Sequence, residues 1–278
     1  MMDRKDVVCS FDADGFIGPI EILNSADAME ALAEFDAWSK NDEQKPGNRF
    51  KTHLVLPTAS KIVHHPKIIE IVRKLLRTRN VLCWSTDWNT KPPGSPYFFA
   101  PHQDSTYAGL EPADSVLTVW VAISDPVTAH DGCLSFWKGS HKVGQIPHRQ
   151  ESSEFNLLSL GQQCPAPAGN AVAVPLRAGQ ATFHHFRTVH TSGPNRSADR
   201  TRVGFAVRYM SASVRQRGRI QESVTLVSGS MEHDGFMLEP ILPCNPTEDD
   251  IEIGRAAQED AMRRESENYF STQQTLEH

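Results

Sequence analysis

Residues 101–106 read PHQDST and hold a histidine and an aspartate two positions apart. Side chains two apart on a strand point to the same side, because their direction alternates along the strand. His102 and Asp104 could therefore hold one metal ion through an imidazole nitrogen and a carboxylate oxygen. A His-x-Asp pair alone is a weak signal, so a third ligand must come from elsewhere in the chain.

The best candidate for the third ligand is His190, at the end of a predicted strand and before a turn-forming run of Ser, Gly, Pro and Asn. His184 and His185, in the segment TFHHF, compete for this role. If that segment is a strand, one of the two faces the core and the other does not. Two histidines and one carboxylate on one face of an octahedron can hold non-haem Fe(II) and leave positions open for a chelating cosubstrate and dioxygen.

The segments around these residues are predicted to be short strands flanked by helices. After Asn80 the chain is rich in Val, Trp, Thr and Phe and is broken by Pro and Gly, which is typical of a sandwich or barrel. Helices are predicted near residues 24–40, from Pro66 onward and from Thr247 onward. The long connection 144–170 is predicted to be a lid or binding loop. The predicted strands are VLCWSTDW, SVLTVWVAI, GCLSFW, AVAVPL, QATFHHF and RVGFAVRYM.

Composition narrows the class of protein. The 278 residues are 39% hydrophobic and 22% charged, as in folded globular proteins. A net charge of -6 argues against nucleic-acid or anionic-membrane partners, which need clustered Lys and Arg. The chain has neither an apolar run of about 18 residues nor an apolar signal-peptide core, so a cytoplasmic protein is predicted.

The chain is expected to fold as one domain over residues 1–275, with residues 276–278 a remnant of a purification tag. The five cysteines lack CxxC spacing and are expected to be reduced thiols. A small-molecule substrate is the expected partner, and the sequence carries no signal for the oligomeric state.

Four motifs, taken in order, resemble the phytanoyl-CoA dioxygenase family of Fe(II)- and 2-oxoglutarate-dependent oxygenases. They are NTKPP followed by HQD at 102–104, LTVWVAI around Trp120, DGCL leading into KGSHK at 131–142, and HTSGPNRS at 190–197 leading to Arg202. The match covers roughly residues 80–210. The resemblance implies a mostly β fold, a cupin-like double-stranded β-helix or jelly roll with flanking α-helices and iron inside its open end.

The same resemblance implies roles for individual residues. His102, Asp104 and His190 are the expected Fe(II) ligands. Arg202 is expected to bind the distal carboxylate of 2-oxoglutarate, because a planar guanidinium can form two parallel charged hydrogen bonds. Arg200 is a rival, since the two arginines lie ten and twelve residues after His190 and the family spacing falls between them.

Two further residues are expected in the cosubstrate pocket, together with a second cosubstrate, O2. Ser192 is expected to add its hydroxyl to the carboxylate contact, and Trp120 is expected to form a wall of the pocket.

The resemblance also implies an activity, the hydroxylation of an unactivated C–H bond with release of succinate and CO2. Related halogenases have Ala or Gly at the carboxylate position, so Asp104 favours hydroxylation, with desaturation or another oxidation as alternatives. A small polar metabolite is the expected substrate, and a likeness to 2-aminoethylphosphonate dioxygenases favours an aminophosphonate. Amino acids and natural-product intermediates are alternatives. Two other classes remain: a non-catalytic metal-binding sensor, and a cupin that uses another metal as an isomerase or hydrolase.

Candidate substrate contacts lie near the first metal motif, in the long connection and on late strands. Aromatic side chains on strands are more often core, and polar loop side chains are more often solvated. An arginine inside the barrel mouth would need an anionic group such as a carboxylate, phosphate or phosphonate. The candidates are Trp88, Tyr107, Gln145, His148, Arg149, Asn156, Arg187 and Arg208.

Overall fold

The structure is a computed structural model that describes residues 4–41, 50–150, 153–158 and 162–276. The helices are α1 (Arg4–Asp14), α2 (Ser25–Asn41), α3 (Pro57–Val63), α4 (Pro66–Leu75), α5 (Ser105–Ala108) and α6 (Glu248–Leu276). The strands are β1 (Phe16–Glu21), β2 (Val81–Lys91), β3 (Phe99–His102), β4 (Leu110–Glu111), β5 (Val116–Ala122), β6 (Leu134–Phe136), β7 (Arg149–Gln150), β8 (Gln162–Gln163), β9 (Val172–Ala173), β10 (Gln180–His185), β11 (His190–Ser192), β12 (Arg202–Ser211), β13 (Arg215–Gln216), β14 (Ser223–Ser228) and β15 (Met237–Leu238). Residues 277–278 of the predicted tag remnant lie outside the described residues.

All three predicted helices are confirmed as α2, α4 and α6. α4 begins at Pro66 and ends at Leu75, and Arg77 then adopts a left-handed φ of 53°. α6 follows Thr247, whose hydroxyl accepts the backbone N–H of Asp250 at 3.2 Å. The Asp250 carboxylate accepts the Thr247 N–H at 2.8 Å. This reciprocal capping explains why the helix starts there.

Each predicted strand contains a strand of the structure, although AVAVPL is extended only at Val172–Ala173. The long connection contains a small hairpin, in which Arg149 on β7 pairs with Gln163 on β8. Helices α1 and α3 and strand β1 were not predicted from the sequence. α3 is a single short helix of seven residues with Pro57 at its start, so its periodic signal was too short to detect.

The chain divides into two compact units, and strands β2, β5 and β12 contribute residues to both. The first unit lies within residues 1–48, 88–106 and 118–206, and the second within 49–87, 107–117 and 207–278. The expectation of a single domain stays a prediction. Among the described residues, no helix has the length and apolar composition needed to cross a bilayer.

The first unit contains part of a large sheet and a second, four-stranded antiparallel sheet. Its part of the large sheet has the strand order β1-β10-β5-β12-β2, and the second sheet has the order β3-β11-β6-β9. Neighbouring strands are far apart in sequence, as they are in a jelly roll. The predicted double-stranded β-helix is therefore confirmed. One apolar cluster of its core consists of Phe16, Trp120, Ala122, Val127, Cys133, Leu134, Phe136, Val174, Leu176 and Ala206.

Helix α2 packs on this unit through aromatic contacts. The ring centroid of Phe35 lies 4.5 Å from that of Trp88, which lies 4.6 Å from that of Phe205. Trp88 is 1% exposed. Offset aromatic pairs at such distances are favourable beyond the area they bury, so these three rings attach the helix to β2 and β12.

The second unit contains a buried ion pair. Lys51 and Glu239 form a direct ion pair, and Ser223 and Thr225 donate their hydroxyls to the Glu239 carboxylate at 2.7 and 2.6 Å. Burial pushes the pKa of Glu239 upward, but the charge of Lys51 and the hydrogen bond from His53 outweigh it and hold the pKa below its ordinary range. Glu239 is therefore ionised at neutral pH.

We expect Glu239→Gln to lower the free energy of unfolding by about 3–5 kcal/mol, because it leaves the buried Lys51 charge without its partner. Urea denaturation measures this loss. Glu70→Gln is the matched control, since Glu70 pairs with Lys74 on the exposed face of α4 and should cost less than about 1 kcal/mol. Equal losses in the two variants would contradict this explanation.

The first unit also contains a close approach between Gly204 on β12 and Trp120 on β5. A Cβ at Gly204 would lie 1.8 Å from Trp120 Cζ2, whereas a Cβ at Gly193 would meet nothing within 4 Å. We expect Gly204→Ala to cost about 1–3 kcal/mol through overpacking and Gly193→Ala to cost clearly less. Urea denaturation of both variants tests the prediction, which a neutral Gly204→Ala would contradict.

Candidate metal centre

The pairing of β3 with β11 brings the first two metal-ligand candidates together. In this antiparallel pair His102 lies opposite His190. β11 also pairs with β6, where Phe136 lies opposite His190. The two histidines are 88 positions apart in the chain, from 102 to 190, and strand register alone makes them neighbours. Their ring centroids are 4.1 Å apart.

Asp104 completes a compact triad. Its Oδ1 lies 3.6 Å from His102 Nε2 and 3.8 Å from His190 Nε2. One ligand atom from each of the three residues lies within 4.8 Å of the others, and all three side chains are buried. The predicted His102–Asp104–His190 group therefore converges on one point.

Backbone hydrogen bonds orient both imidazoles of the triad. His102 Nδ1 lies 2.8 Å from the carbonyl oxygen of Ala100, and His190 Nδ1 lies 3.0 Å from that of Thr188. Since a carbonyl only accepts, each Nδ1 carries the proton and each Nε2 presents its lone pair to the centre. Burial lowers the pKa of His190 well below its ordinary value, and the nearby His102 and His184 lower it further. A neutral imidazole is the form that binds a metal.

The two carboxylate oxygens of Asp104 have different surroundings. Oδ1 faces the two ligand histidines, whereas Oδ2 accepts the hydroxyl of Thr118 at 2.6 Å and lies 3.4 Å from His184 Nε2. His184 therefore lies beside the triad and contacts the outer oxygen. His185 is directed elsewhere, because its Nδ1 accepts the backbone N–H of Arg187 at 3.0 Å. These positions favour His190 as the third ligand.

The donor set fits Fe(II). Two neutral imidazole nitrogens and one carboxylate oxygen match the facial triad of non-haem iron proteins, and the orienting contacts behind each ligand are those expected around a metal site. Phe136 is fully buried, with its ring centroid 5.9 Å from that of His190 and 5.2 Å from that of His184. This ring closes one side of the centre with apolar surface.

Gln103, between the first two ligands, is a residue that the sequence analysis missed. It is fully buried, and its Nε2 donates to the carbonyls of Gly144 and Arg187 at 2.9 and 2.7 Å. Its Oε1 accepts the backbone N–H of Ile146 at 2.8 Å, and its own N–H donates to His148 Nε2 at 3.0 Å. These bonds attach the ligand segment to the start of the long connection. The available signal was its position between two predicted metal ligands, directly after the end of β3.

The predicted cosubstrate residues also lie together. Arg202 is 2% exposed and donates to the carbonyls of Gly132 and Asn89, and its Nη2 lies 3.4 Å from Ser192 Oγ. Its guanidinium carbon lies 4.9 Å from the centroid of the Trp120 ring. Burial lowers the pKa of Arg202 to about 10, still far above neutral pH. A buried cation therefore lies beside the hydroxyl and the indole predicted for this pocket.

Arg200, the rival for the carboxylate, has a different environment. Its side chain is 47% exposed and forms ion pairs with Asp131 and Asp199 at 3.1 and 3.4 Å. Because its charge is already matched by protein carboxylates, the structure favours Arg202 for the role.

Most predicted substrate residues from the long connection support the metal segment. His148 accepts the N–H of Gln103, and Asn156 Oδ1 accepts the N–H of Ala100 at 3.3 Å. Gln145 is exposed and bonds Ser105 and Thr106 at 2.6 and 2.9 Å. Arg149 is exposed on β7. Substrate roles for these residues stay predictions.

The remaining predicted substrate residues differ in their surroundings. Trp88 packs between Phe35 and Phe205, which favours the core role. Arg208 forms an ion pair with Asp87, so its charge is balanced within the second unit. Arg187 is half-buried, and so is Tyr107 in α5.

Fold and site together define a jelly-roll protein with a candidate centre for non-haem iron. The chain belongs to the phytanoyl-CoA dioxygenase family, whose model matches residues 13–204. It is similar to the non-haem monooxygenase ThoJ in its apo form, with 32% identity, a TM-score of 0.83, and coverage of 97% of this chain and 100% of that chain.

Two curated relatives match shorter segments. The Mus musculus phytanoyl-CoA dioxygenase domain-containing protein 1 is 34% identical over 161 residues, covering 56% of this chain and 54% of the relative. A probable alpha-ketoglutarate-dependent hypophosphite dioxygenase of Stutzerimonas stutzeri is 30% identical over 163 residues, covering 55% and 54%. The chain thus spans about half the length of these curated relatives.

We expect Thr118→Val to weaken Fe(II) binding about 10–100-fold, because the outer oxygen of Asp104 loses the hydroxyl that orients the ligand. Competition with a metal-chelating dye under anaerobic conditions measures the affinity. Thr182→Val is the matched control, since the buried Thr182 hydroxyl has no hydrogen-bond partner among the described residues. Similar losses in both variants would show that packing, rather than orientation of Asp104, explains the effect.

Proposed function

We propose that this chain is an Fe(II)- and 2-oxoglutarate-dependent dioxygenase that hydroxylates a C–H bond of a small polar metabolite. One observation carries the proposal: a buried triad of two histidines and one aspartate, with oriented Nε2 atoms, in the same compact unit as a buried arginine. Membership in the phytanoyl-CoA dioxygenase family supports it. The retained Asp104 carboxylate favours hydroxylation over halogenation.

The chain's own residues would act by holding and orienting the reactants. His102, Asp104 and His190 would hold Fe(II), which would supply open coordination positions for 2-oxoglutarate and dioxygen and a redox centre for the reduction of dioxygen, with 2-oxoglutarate and the substrate as the electron donors. Arg202 and Ser192 would bind the distal carboxylate of 2-oxoglutarate, and Trp120 would form the wall beside it. Phe136 would exclude water from the side of His190. Such preorganised contacts orient the cosubstrate before reaction.

The substrate that we propose is a small metabolite with an anionic group, and an aminophosphonate such as 2-aminoethylphosphonate is the first candidate. The similar protein from Stutzerimonas stutzeri is named for a phosphorus compound, hypophosphite. Arg149 and Arg187 are the candidate anion contacts in the first unit, whereas Arg208 is already matched by Asp87. An amino acid or a natural-product intermediate is the alternative.

Succinate release tests the reaction class. We expect the protein with Fe(II), ascorbate, 2-oxoglutarate and air to form succinate, and we expect His102→Ala and Asp104→Ala to reduce it to background. His130→Ala is the matched control, because His130 is exposed and should leave the rate unchanged. Wild-type protein that binds Fe(II) but forms no succinate with any substrate would support the alternative of a non-catalytic metal-binding module.

A substrate screen follows from the same assay. We expect 2-aminoethylphosphonate or a related small anion to stimulate succinate release above the uncoupled rate. Arg149→Ala or Arg187→Ala should then raise KM for that substrate about tenfold or more, as loss of a charged hydrogen bond would. Unchanged KM values in both variants would remove the anionic-substrate proposal and leave the reaction class intact.

A further inference from the structure

Two buried cations of the first unit meet at the hydroxyl of Ser192. Lys91 is fully buried, and its Nζ donates to Ser192 Oγ at 2.6 Å, to the Ser192 carbonyl at 3.1 Å and to the Gly193 carbonyl at 2.6 Å. Arg202 reaches the same Oγ through Nη2 at 3.4 Å. Within the described part of the chain, neither cation forms an ion pair with a carboxylate.

A buried cation without a carboxylate is costly, because burial removes its hydration and neutral carbonyls replace only part of it. Burial lowers the pKa of Lys91 well below its ordinary value, and the neighbouring Arg202 lowers it further, so an anion bound beside Lys91 would favour its charged ammonium form. The second unit shows the usual solution, since buried Lys51 has Glu239 as its partner. Since no carboxylate of the described residues pairs with Lys91 or Arg202, these two side chains form a site suited to a bound anion.

The direction of the hydrogen bonds around Ser192 indicates which hydrogen bond an anion would accept here. An ammonium and a guanidinium carry donors only, so both bonds run toward Ser192 Oγ. Both lone pairs of that oxygen are then used. Among the described residues, no group accepts a hydrogen bond from the Ser192 hydroxyl. This hydroxyl can therefore donate to an oxygen of a bound anion.

We propose that Lys91 is a positioning residue for the distal carboxylate of 2-oxoglutarate. It holds the hydroxyl of Ser192 in the donating orientation beside Arg202 and adds a second positive charge to the carboxylate site. This role rests on the proposed function, because it needs 2-oxoglutarate as the ligand. A charged hydrogen bond and a bidentate arginine contact are the strong forms of carboxylate recognition.

The test compares two 2-oxo acids that share the chelating end and differ at the far end. 2-Oxoglutarate has the distal carboxylate, and pyruvate lacks it. Dissociation constants for both are measured with the Fe(II)-loaded protein under anaerobic conditions, by calorimetry and by the visible absorption that forms when a 2-oxo acid chelates Fe(II). Catalytic turnover is not involved. The readout is the ratio of the two constants, which a general loss of folding does not change selectively.

We expect Lys91→Met to weaken 2-oxoglutarate binding about tenfold or more while pyruvate binding changes little. Lys91→Arg should restore part of the preference, because it keeps the charge. Lys138→Met is the matched control, since Lys138 is exposed and pairs with Asp14; it should keep the wild-type ratio. In a Ser192→Ala background Lys91→Met should have a much smaller effect, because Lys91 acts through that hydroxyl.

The outcomes separate the two proposals. Wild-type protein that binds Fe(II) but does not prefer 2-oxoglutarate over pyruvate would overturn the proposed function and the role of Lys91 together. Wild-type preference that survives in Lys91→Met would overturn the role of Lys91 alone. If Lys91→Met does not fold, Ser192→Ala decides: the preference must fall there too, and an unchanged ratio would overturn the positioning role.

Discussion

The antiparallel pairing of β3 with β11 is the constraint on which the metal centre depends. It sets His102 opposite His190, and a shift of one residue would turn one of the two imidazoles to the other side of the sheet. The register is held from both flanks, because β11 also pairs with β6 and the side chain of Gln103 attaches the end of β3 to the 144–146 segment. The backbone pairing therefore brings the two candidate histidine ligands together.

The buried cations of the two units have different kinds of partner. In the second unit, Lys51 forms an ion pair with Glu239, whose carboxylate also accepts two hydroxyl hydrogen bonds. The charge of Lys51 is therefore balanced by a residue of the same unit. In the first unit, Lys91 and Arg202 have only neutral partners among the described residues. The same cost of desolvation applies to both, and this difference is the basis for the anion site proposed at Lys91 and Arg202.

The two carboxylate oxygens of Asp104 also have different neighbours. The outer oxygen is occupied by Thr118 and lies near His184, while the inner oxygen faces the two ligand histidines. The contacts behind the ligands set the direction of each lone pair, and they come from strands β5 and β10 as well as from the ligand strands. The groups that orient the three candidate ligands are therefore part of the site.

The sequence by itself determined the strand-rich fold, the helices α2, α4 and α6 and the residue types of the candidate centre. Capping residues and the order of the motifs are local properties, and the structure agrees with them at these helices. At the His-x-Asp pair, His102 ends β3 and Asp104 lies in the turn that follows, so the two side chains converge without both lying on a strand. The sequence left open the choice between Arg200 and Arg202 and between core and pocket for Trp88, and α1, α3 and β1 were not predicted.

Tertiary structure decided what depended on distant partners. Arg202 is buried and Arg200 is exposed, Trp88 packs between Phe35 and Phe205, and Lys91 meets Ser192 across 101 positions of chain. The physical reason is that burial and charge balance depend on all the residues that pack around a side chain. A single chain segment supplies only some of those residues. The type and spacing of residues indicate which chemistry is available, whereas packing decides which residue is desolvated enough to perform it.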